Sequence, residues 1–411
     1  MSQADKLTSY LHRSYIQLPE SDNLLYTPCM NSLHDHFLLD PKVTFLNHGS
    51  FGATPKPVFE AYQAWQRQLE MQPVKFIGRE LQGYLDKARN ELGNYLNTHK
   101  DSLVYIPNTT YGINVIARSL TLSEGDVVLT TNHEYGACDK TWEFMSQKKG
   151  FTYQKQPISL PFESNEAIIE QLWQGVTPKT KVIYLSHITS ATAVIFPVAQ
   201  ICQRAREEGI LTIIDGAHAP GQIDVDLSVI TPDFYCGNLH KWLSAPKGSA
   251  FIYTKPDKQP LIEPLIVSWG WGENREKSTG SDYLDYLQFT GTNDLSAYLS
   301  VPNAIQFQEA HQWQNVREHC HALLKSALDQ IEHMTGLPAV YQTDSFYSQM
   351  GITRLPQTAD LPSFKNQLYD QFLVEIPCIQ WEGNQFIRLS IQGYNTPQDI
   401  ETLLTALQTL L

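Results

Sequence analysis

The chain has 411 residues, enough for two or three domains, and 42% of them are hydrophobic, enough for large buried cores. Its 30 basic and 43 acidic residues leave a net charge of −13, which argues against a nucleic-acid or acidic-membrane partner but not against a local basic pocket for a phosphate. Six cysteines (Cys29, Cys138, Cys202, Cys236, Cys320, Cys378) without a CxxC pair read as reduced thiols rather than a disulfide or metal framework, and the absence of an apolar leader or span makes a soluble, cytoplasmic protein the expectation.

In chain order, residues 1 to about 40 form a polar leader with a few anchors (Leu24, Leu25, Tyr26). A short strand at Val43–Leu46 breaks at Asn47-His48-Gly49-Ser50-Phe51-Gly52, and a helical pattern follows to Tyr95, interrupted at Pro73. The centre alternates. Strands are expected at Leu103–Ile106, Val127–Thr130, Val182–Ser186, Leu211–Asp215, Asp233–Cys236 and Ser249–Tyr253. Helices are expected at Gly112–Leu120, Ala137–Lys149, Glu163–Gln174 and Val198–Glu208, the last with Pro197 at its start and Gly209 at its end. Such alternation predicts an α/β fold with a mostly parallel sheet covered on both faces, and ligands at the carboxyl ends of its strands. After about residue 295 a long helix (Leu295–Ile331), Gly351–Leu355, helix Ser363–Leu373, strand Phe386–Ile391 and a helix from Pro397 predict a smaller α+β unit. The expected division is an N-terminal segment, 1–45, packing on the small domain, a large domain, 46–294, and a small domain, 295–411.

The chemistry gathers at the predicted strand ends. Asp215 closes an apolar strand, and Lys241 follows His240 in an apolar setting (Leu239, Trp242, Leu243) that suits a desolvated amine. An amine able to form a Schiff base and an acid able to pair with a ring nitrogen are what pyridoxal phosphate requires. A lysine beside a histidine is ordinarily a surface residue, and a strand-end aspartate ordinarily caps a turn. His218 reads either as a core histidine or as a group at the cofactor ring. Asn108-Thr109-Thr110-Tyr111-Gly112 joins a strand to a helix and serves equally as an ordinary cap or as a phosphate cradle. Tyr135 offers a face for stacking on a planar cofactor or simply packs at a helix start. Arg388, alternating within an apolar strand, needs an anion, either a structural carboxylate or a substrate.

Together these segments resemble the class V aminotransferase family of fold-type-I pyridoxal-phosphate enzymes, and within it the isopenicillin N epimerase-like branch. The resemblance rests on FLNHGSFGATP (45–55), NTTYGIN (108–114), HEYGA (133–137), SHITSATA (186–193), DGAHAPG (215–221), DFYCGNLHKWLSAPKG (233–248), FTGTND (289–294) and FIRLS (386–390), in the family's order over about 350 residues. It implies a seven-stranded-type sheet in the large domain and a homodimer with shared active sites. It implies that Lys241 forms the internal aldimine, Asp215 pairs with the pyridine nitrogen and His218 lies near the ring oxygen. Tyr135 stands where many relatives place a stacking histidine. Thr109, Thr110, Asn238 and His240 would surround the phosphate, with Thr292 reaching the phosphate in the other subunit. Arg388 would bind the substrate carboxylate, Asn47 and His48 would line the substrate side, and Ser190 the cofactor side. Cysteine desulfurases of the family carry a nucleophilic cysteine on a mobile loop. The nearest candidate here, Cys378, lies in an apparent strand, which argues against persulfide transfer.

The implied reaction acts at Cα of an amino-acid substrate through an external aldimine and quinonoid, epimerase-like. A C–S lyase acting on a cysteine conjugate, cystine or cysteine sulfoxide, an aminotransferase and a non-catalytic pyridoxal-phosphate-binding protein are the alternatives. Arg79, Trp269, Trp271 and the 273–282 segment are expected to shape the side-chain pocket.

Overall fold

A computed structural model describes residues 31–273, 275, 278–358 and 360–411. The leader anchors Leu24, Leu25 and Tyr26, together with Cys29 and part of the 273–282 segment, lie outside the described residues.

Period-two alternation builds the main sheet. Strands β2 (Leu103–Ile106), β5 (Thr180–Ser186) and β6 (Leu211–Asp215) are buried nearly throughout and send successive side chains to opposite faces. Tyr105, Ile183, Leu185 and Ile214 enter one core; Val104, Ile106, Val182, Tyr184 and Ile213 enter the other. Each such fully buried aliphatic side chain contributes roughly 1.5–3 kcal/mol. With β1 (Thr44–Phe45) outside it, the sheet is completed by β3 (Val127–Thr131), β4 (Thr152–Gln156), β7 (Phe234–Asn238) and β8 (Ala250–Thr254), in the order β2-β8-β7-β6-β5-β3-β4. Only β8 runs antiparallel to its neighbours. The carboxyl ends of β3, β5, β6 and β7 therefore share one edge.

Edge strand β4 is absent from the sequence expectation. Its residues, Thr-Tyr-Gln-Lys-Gln, are exposed or half-buried and carry little apolar signal. The expected long helix is three, Ser296–Leu299, Val301–Ala310 and Trp313–Thr335. Pro302 opens the second and Gln312, in left-handed geometry at φ 48°, precedes the third.

A second, antiparallel sheet combines β9 (Met350–Leu355), β11 (Cys378–Trp381) and β12 (Asn384–Ser390) in the order β11-β12-β9. The intervening β10 (Val374–Glu375) pairs instead with β1, in parallel. Residues 44–52 therefore run from the second sheet to the edge of the first: Asn47 bridges Ser390, and Gly52 packs on the His240–Lys241 backbone. No helix among the described residues is long and apolar enough to cross a membrane.

Candidate active site

Asp215 ends β6 and is 3% exposed. Its Oδ1 accepts the Ala217 N–H at 2.9 Å, and its Oδ2 accepts from the Tyr184 hydroxyl at 3.3 Å and the Cys138 thiol at 3.6 Å. Burial raises the Asp215 pKa; the Ala217 N–H and the Lys241 charge oppose it, as do the thiol and the hydroxyl. An acid so placed is oriented without a matching cation in hydrogen-bond contact among the described residues.

Lys241 lies on the loop between β7 and β8. Its side chain opens partly to the cleft, while its amine is packed deeply enough that burial, reinforced by Arg388 and opposed by Asp215, lowers its pKa to about 8. Nζ lies 3.1 Å from Nε2 of His218, whose Nδ1 accepts the Trp242 indole N–H at 3.3 Å. Burial first, then the charges of Lys241, Arg388 and His240, push His218 well below its ordinary value, so the ring is neutral.

The loop's backbone is fixed from below. His48 is fully enclosed, with Nε2 on the Lys241 carbonyl at 3.0 Å and Nδ1 on the Tyr394 hydroxyl at 3.0 Å. It braces the lysine from behind rather than presenting a free face, and burial lowers its pKa to about 3. Two glycines permit the approach. A Cβ on Gly52 (φ +71°) would stand 2.1 Å from the His240 carbonyl oxygen, and one on Gly221 (φ +90°) 2.3 Å from the Trp242 carbonyl carbon.

At the other end of the cleft, helix Thr109–Ser119 points its N-terminus at the strand edge. Asn108 caps it by accepting the Tyr111 N–H at 2.9 Å, and Asn238 at the end of β7 accepts the Thr109 N–H at 2.9 Å. Among the described residues the Thr110 N–H meets no backbone acceptor outside its own helix, and the buried Thr109 hydroxyl has no partner. His240 turns Nδ1 to the Ser249 carbonyl, 2.9 Å away, and burial lowers its pKa to about 4. A free helix N-terminus with an orphaned buried hydroxyl is suited to a phosphate. With the Lys241 amine and the Asp215 acid, these residues fit a phosphorylated aldehyde cofactor.

Arg388, in β12, is 5% exposed and meets no carboxylate among the described residues. Nη1 donates to the carbonyl and hydroxyl of Ser190; Nη2 donates to the Ser50 hydroxyl at 3.2 Å. Ser50 donates on to Asn47 Oδ1 at 2.6 Å, and Asn47 Nδ2 to Glu375 at 2.9 Å. Nε of Arg388 is buried without a partner. A desolvated guanidinium held by neutral oxygens retains the capacity to bind an anion, although burial lowers its pKa to about 10.

Two expected residues are exposed and make none of the contacts described above. Tyr135, preceding helix Gly136–Lys149, is 46% exposed, and Thr292 is exposed on a loop. Ser50, Trp242, Tyr184, Cys138 and Glu134 support the site and had not been singled out. Their sequence signal is ordinary: a serine in a glycine-rich turn and side chains typical of buried positions.

Comparison with known proteins gives a consistent answer. The family described as aminotransferase class-V matches residues 46–358. Isopenicillin N epimerase of Amycolatopsis lactamdurans is 33% identical over 384 residues, spanning 90% of this chain and 96% of that protein. A putative L-cysteine desulfhydrase of Oryza sativa subsp. japonica is 27% identical over 410 residues, spanning 90% and 83%. Among solved structures, a variant of C-DES with glycine covalently linked to its PLP cofactor superposes with a TM-score of 0.77 at 20% identity, over 89% of this chain and 96% of that one.

Proposed function

The chain belongs to the class-V aminotransferase family, with the fold-type-I architecture and pyridoxal phosphate as its cofactor, and we propose that it catalyses epimerisation at Cα of an amino acid. The single observation that carries this reading is the likeness to an isopenicillin N epimerase over nine-tenths of the chain, with the charges of Arg388 and Asp215 both acting on the Lys241 amine.

Bound pyridoxal phosphate supplies an aldehyde for condensation with an amine and a ring that accepts electrons from a Cα carbanion. Lys241 would hold the aldehyde end of the cofactor, and its amine, once free, would take the Cα proton as general base, a proton returned to the opposite face of Cα completing the epimerisation. Asp215 would favour a proton on the ring nitrogen, and His218 would lie near the ring oxygen. Thr109, Thr110, Asn238 and His240 hold the phosphate end. Arg388, steadied by Ser50 and Ser190, takes the substrate carboxylate and so fixes which Cα bond stands in line for cleavage. Asn47 acts on the substrate side through Ser50, and His48 through the Lys241 backbone. Tyr135 would cover the ring face.

We also place Thr292 at the phosphate of a second copy's site. Exposed Trp269, Trp271 and Val267, at 82%, 58% and 66%, support a homodimer. The second reading is C–S bond cleavage, favoured by the likeness to the rice desulfhydrase. Incubation with L- and D-amino acids, including cysteine and cystine, in D2O separates them. Deuterium at Cα with loss of chirality supports epimerisation. Pyruvate release establishes the lyase, and keto-acid formation without sulfur loss establishes amino transfer; either overturns the epimerase reading.

A further inference from the structure

The three groups Trp242, His218 and Lys241 form a line whose hydrogen-bond directions are fixed by chemistry. An indole nitrogen only donates, so His218 Nδ1 must present its lone pair to Trp242. A neutral imidazole has one N–H, which then sits on Nε2. Nε2 lies 3.1 Å from Lys241 Nζ. A donor facing the lysine requires an accepting lone pair there, which an ammonium lacks.

The starting point of that line is itself immobile. Trp242 is fully buried, its ring lies 5.0 Å from that of His48, and its carbonyl accepts from Gln308 Nε2 at 2.9 Å. We propose that Trp242 is a positioning residue that, by fixing the His218 tautomer, holds the Lys241 amine in its unprotonated, proton-accepting form. The proposal deepens the reading of Lys241 as cofactor-bearing amine and general base, and rests on it for its functional meaning.

Other charges face the same amine. Arg388 and Asp215 act on it with opposite sign, beside the Cys138 thiol; His240 and Arg388 face His218, and Lys247 faces His240. None of these selects a tautomer. Without the indole N–H, His218 can carry its proton on Nδ1 and turn the Nε2 lone pair to Lys241, which then favours the ammonium.

The test reads the amine directly and needs no turnover. The full chain without added cofactor is trace-acetylated with acetic anhydride across a pH series, and the Lys241 peptide is quantified by mass spectrometry. In Trp242→Phe the midpoint should rise by about one unit, leaving about tenfold less free amine near neutrality. In a His218→Gln background the same substitution should move it by less than about 0.3 units. An unchanged midpoint in Trp242→Phe overturns the proposal, and so does an equal shift in both backgrounds, which would mark a packing effect. Should Trp242→Phe fail to fold, ¹⁵N spectra of the native protein labelled at histidine decide: a bare Nδ1 and protonated Nε2 on His218 support the proposal, the opposite tautomer overturns it. Borohydride reduction after addition of pyridoxal phosphate separately establishes whether Lys241 carries the cofactor, so the two failures remain distinct.

Discussion

Glu134 accepts both the backbone N–H and the hydroxyl of Ser186, at 2.8 and 2.7 Å through one carboxyl oxygen, while its other oxygen accepts from Thr131 at 2.6 Å. This buried carboxyl joins the ends of β3 and β5, the same edge on which Asp215 lies.

Burial pushes the Glu134 pKa up to about 8, despite the Thr131 and Ser186 hydrogen bonds, with Asp215 and Asp139 adding to the rise. A carboxyl raised above its unfolded value binds more protons in the folded chain, so its stabilising share is complete below about pH 4.5 and is lost as pH rises through about 8. We therefore expect Glu134→Gln, compared with the native chain by urea unfolding at several pH values, to remove a slope worth on the order of a few kcal/mol across that window. Taking the difference cancels the opposite contribution of the buried histidines. A pH-independent difference would refute the assignment.

Arg388→Ala should raise KM for the amino-acid substrate about 30- to 1000-fold, the equivalent of roughly 2–4 kcal/mol, while the cofactor's absorbance is retained. Arg388→Lys should recover little, because the guanidinium spreads two nitrogens between Ser190 and Ser50. Steady-state kinetics with spectra on the same samples check this; a KM within about twofold of native would remove Arg388 from substrate binding.

Gly52→Ala places a methyl 2.1 Å from the His240 carbonyl oxygen at φ 71° and ψ 167°, a region open essentially to glycine alone. The expected loss is about 3 kcal/mol or more, with cofactor binding weakened over about tenfold as the Lys241 loop is displaced. Thermal melts and a cofactor titration measure both effects, and a variant indistinguishable from native on both would sink the close-approach argument.

Cys378, half-buried in β11, has its thiol pushed up to about 12 by burial, so little thiolate exists near neutrality. Cys378→Ser should keep activity within about twofold, and iodoacetamide should leave the native enzyme active. A loss above about tenfold would return persulfide transfer to consideration.

The alternation of strands and helices was legible because the inner strands are apolar on both faces, and the acid, the lysine and the arginine were legible because each interrupts such a run. β4 was not, since an edge strand facing water needs no apolar residues. The breaks at Pro302 and Gln312 were lost in a continuous helical period. Within the site, the roles of Trp242, Ser50 and Glu134 come from hydrogen bonds between residues far apart in sequence, which spacing does not encode. The resemblance implied that His48 lines the substrate side; its enclosure against the Tyr394 hydroxyl is a contact between residues far apart in sequence, which spacing does not encode.

That long reach has a consequence for biosynthesis. Residues 44–52 leave the ribosome early, yet β1 pairs with β10, and His48 and Asn47 bond to Tyr394 and Glu375. Until residues 374–394 are made, the strand waits without its partner and the turn beneath Lys241 has no floor. A nascent or C-terminally truncated chain should therefore form the main sheet before it can retain the cofactor. Completion of the pocket thus waits on synthesis through Tyr394.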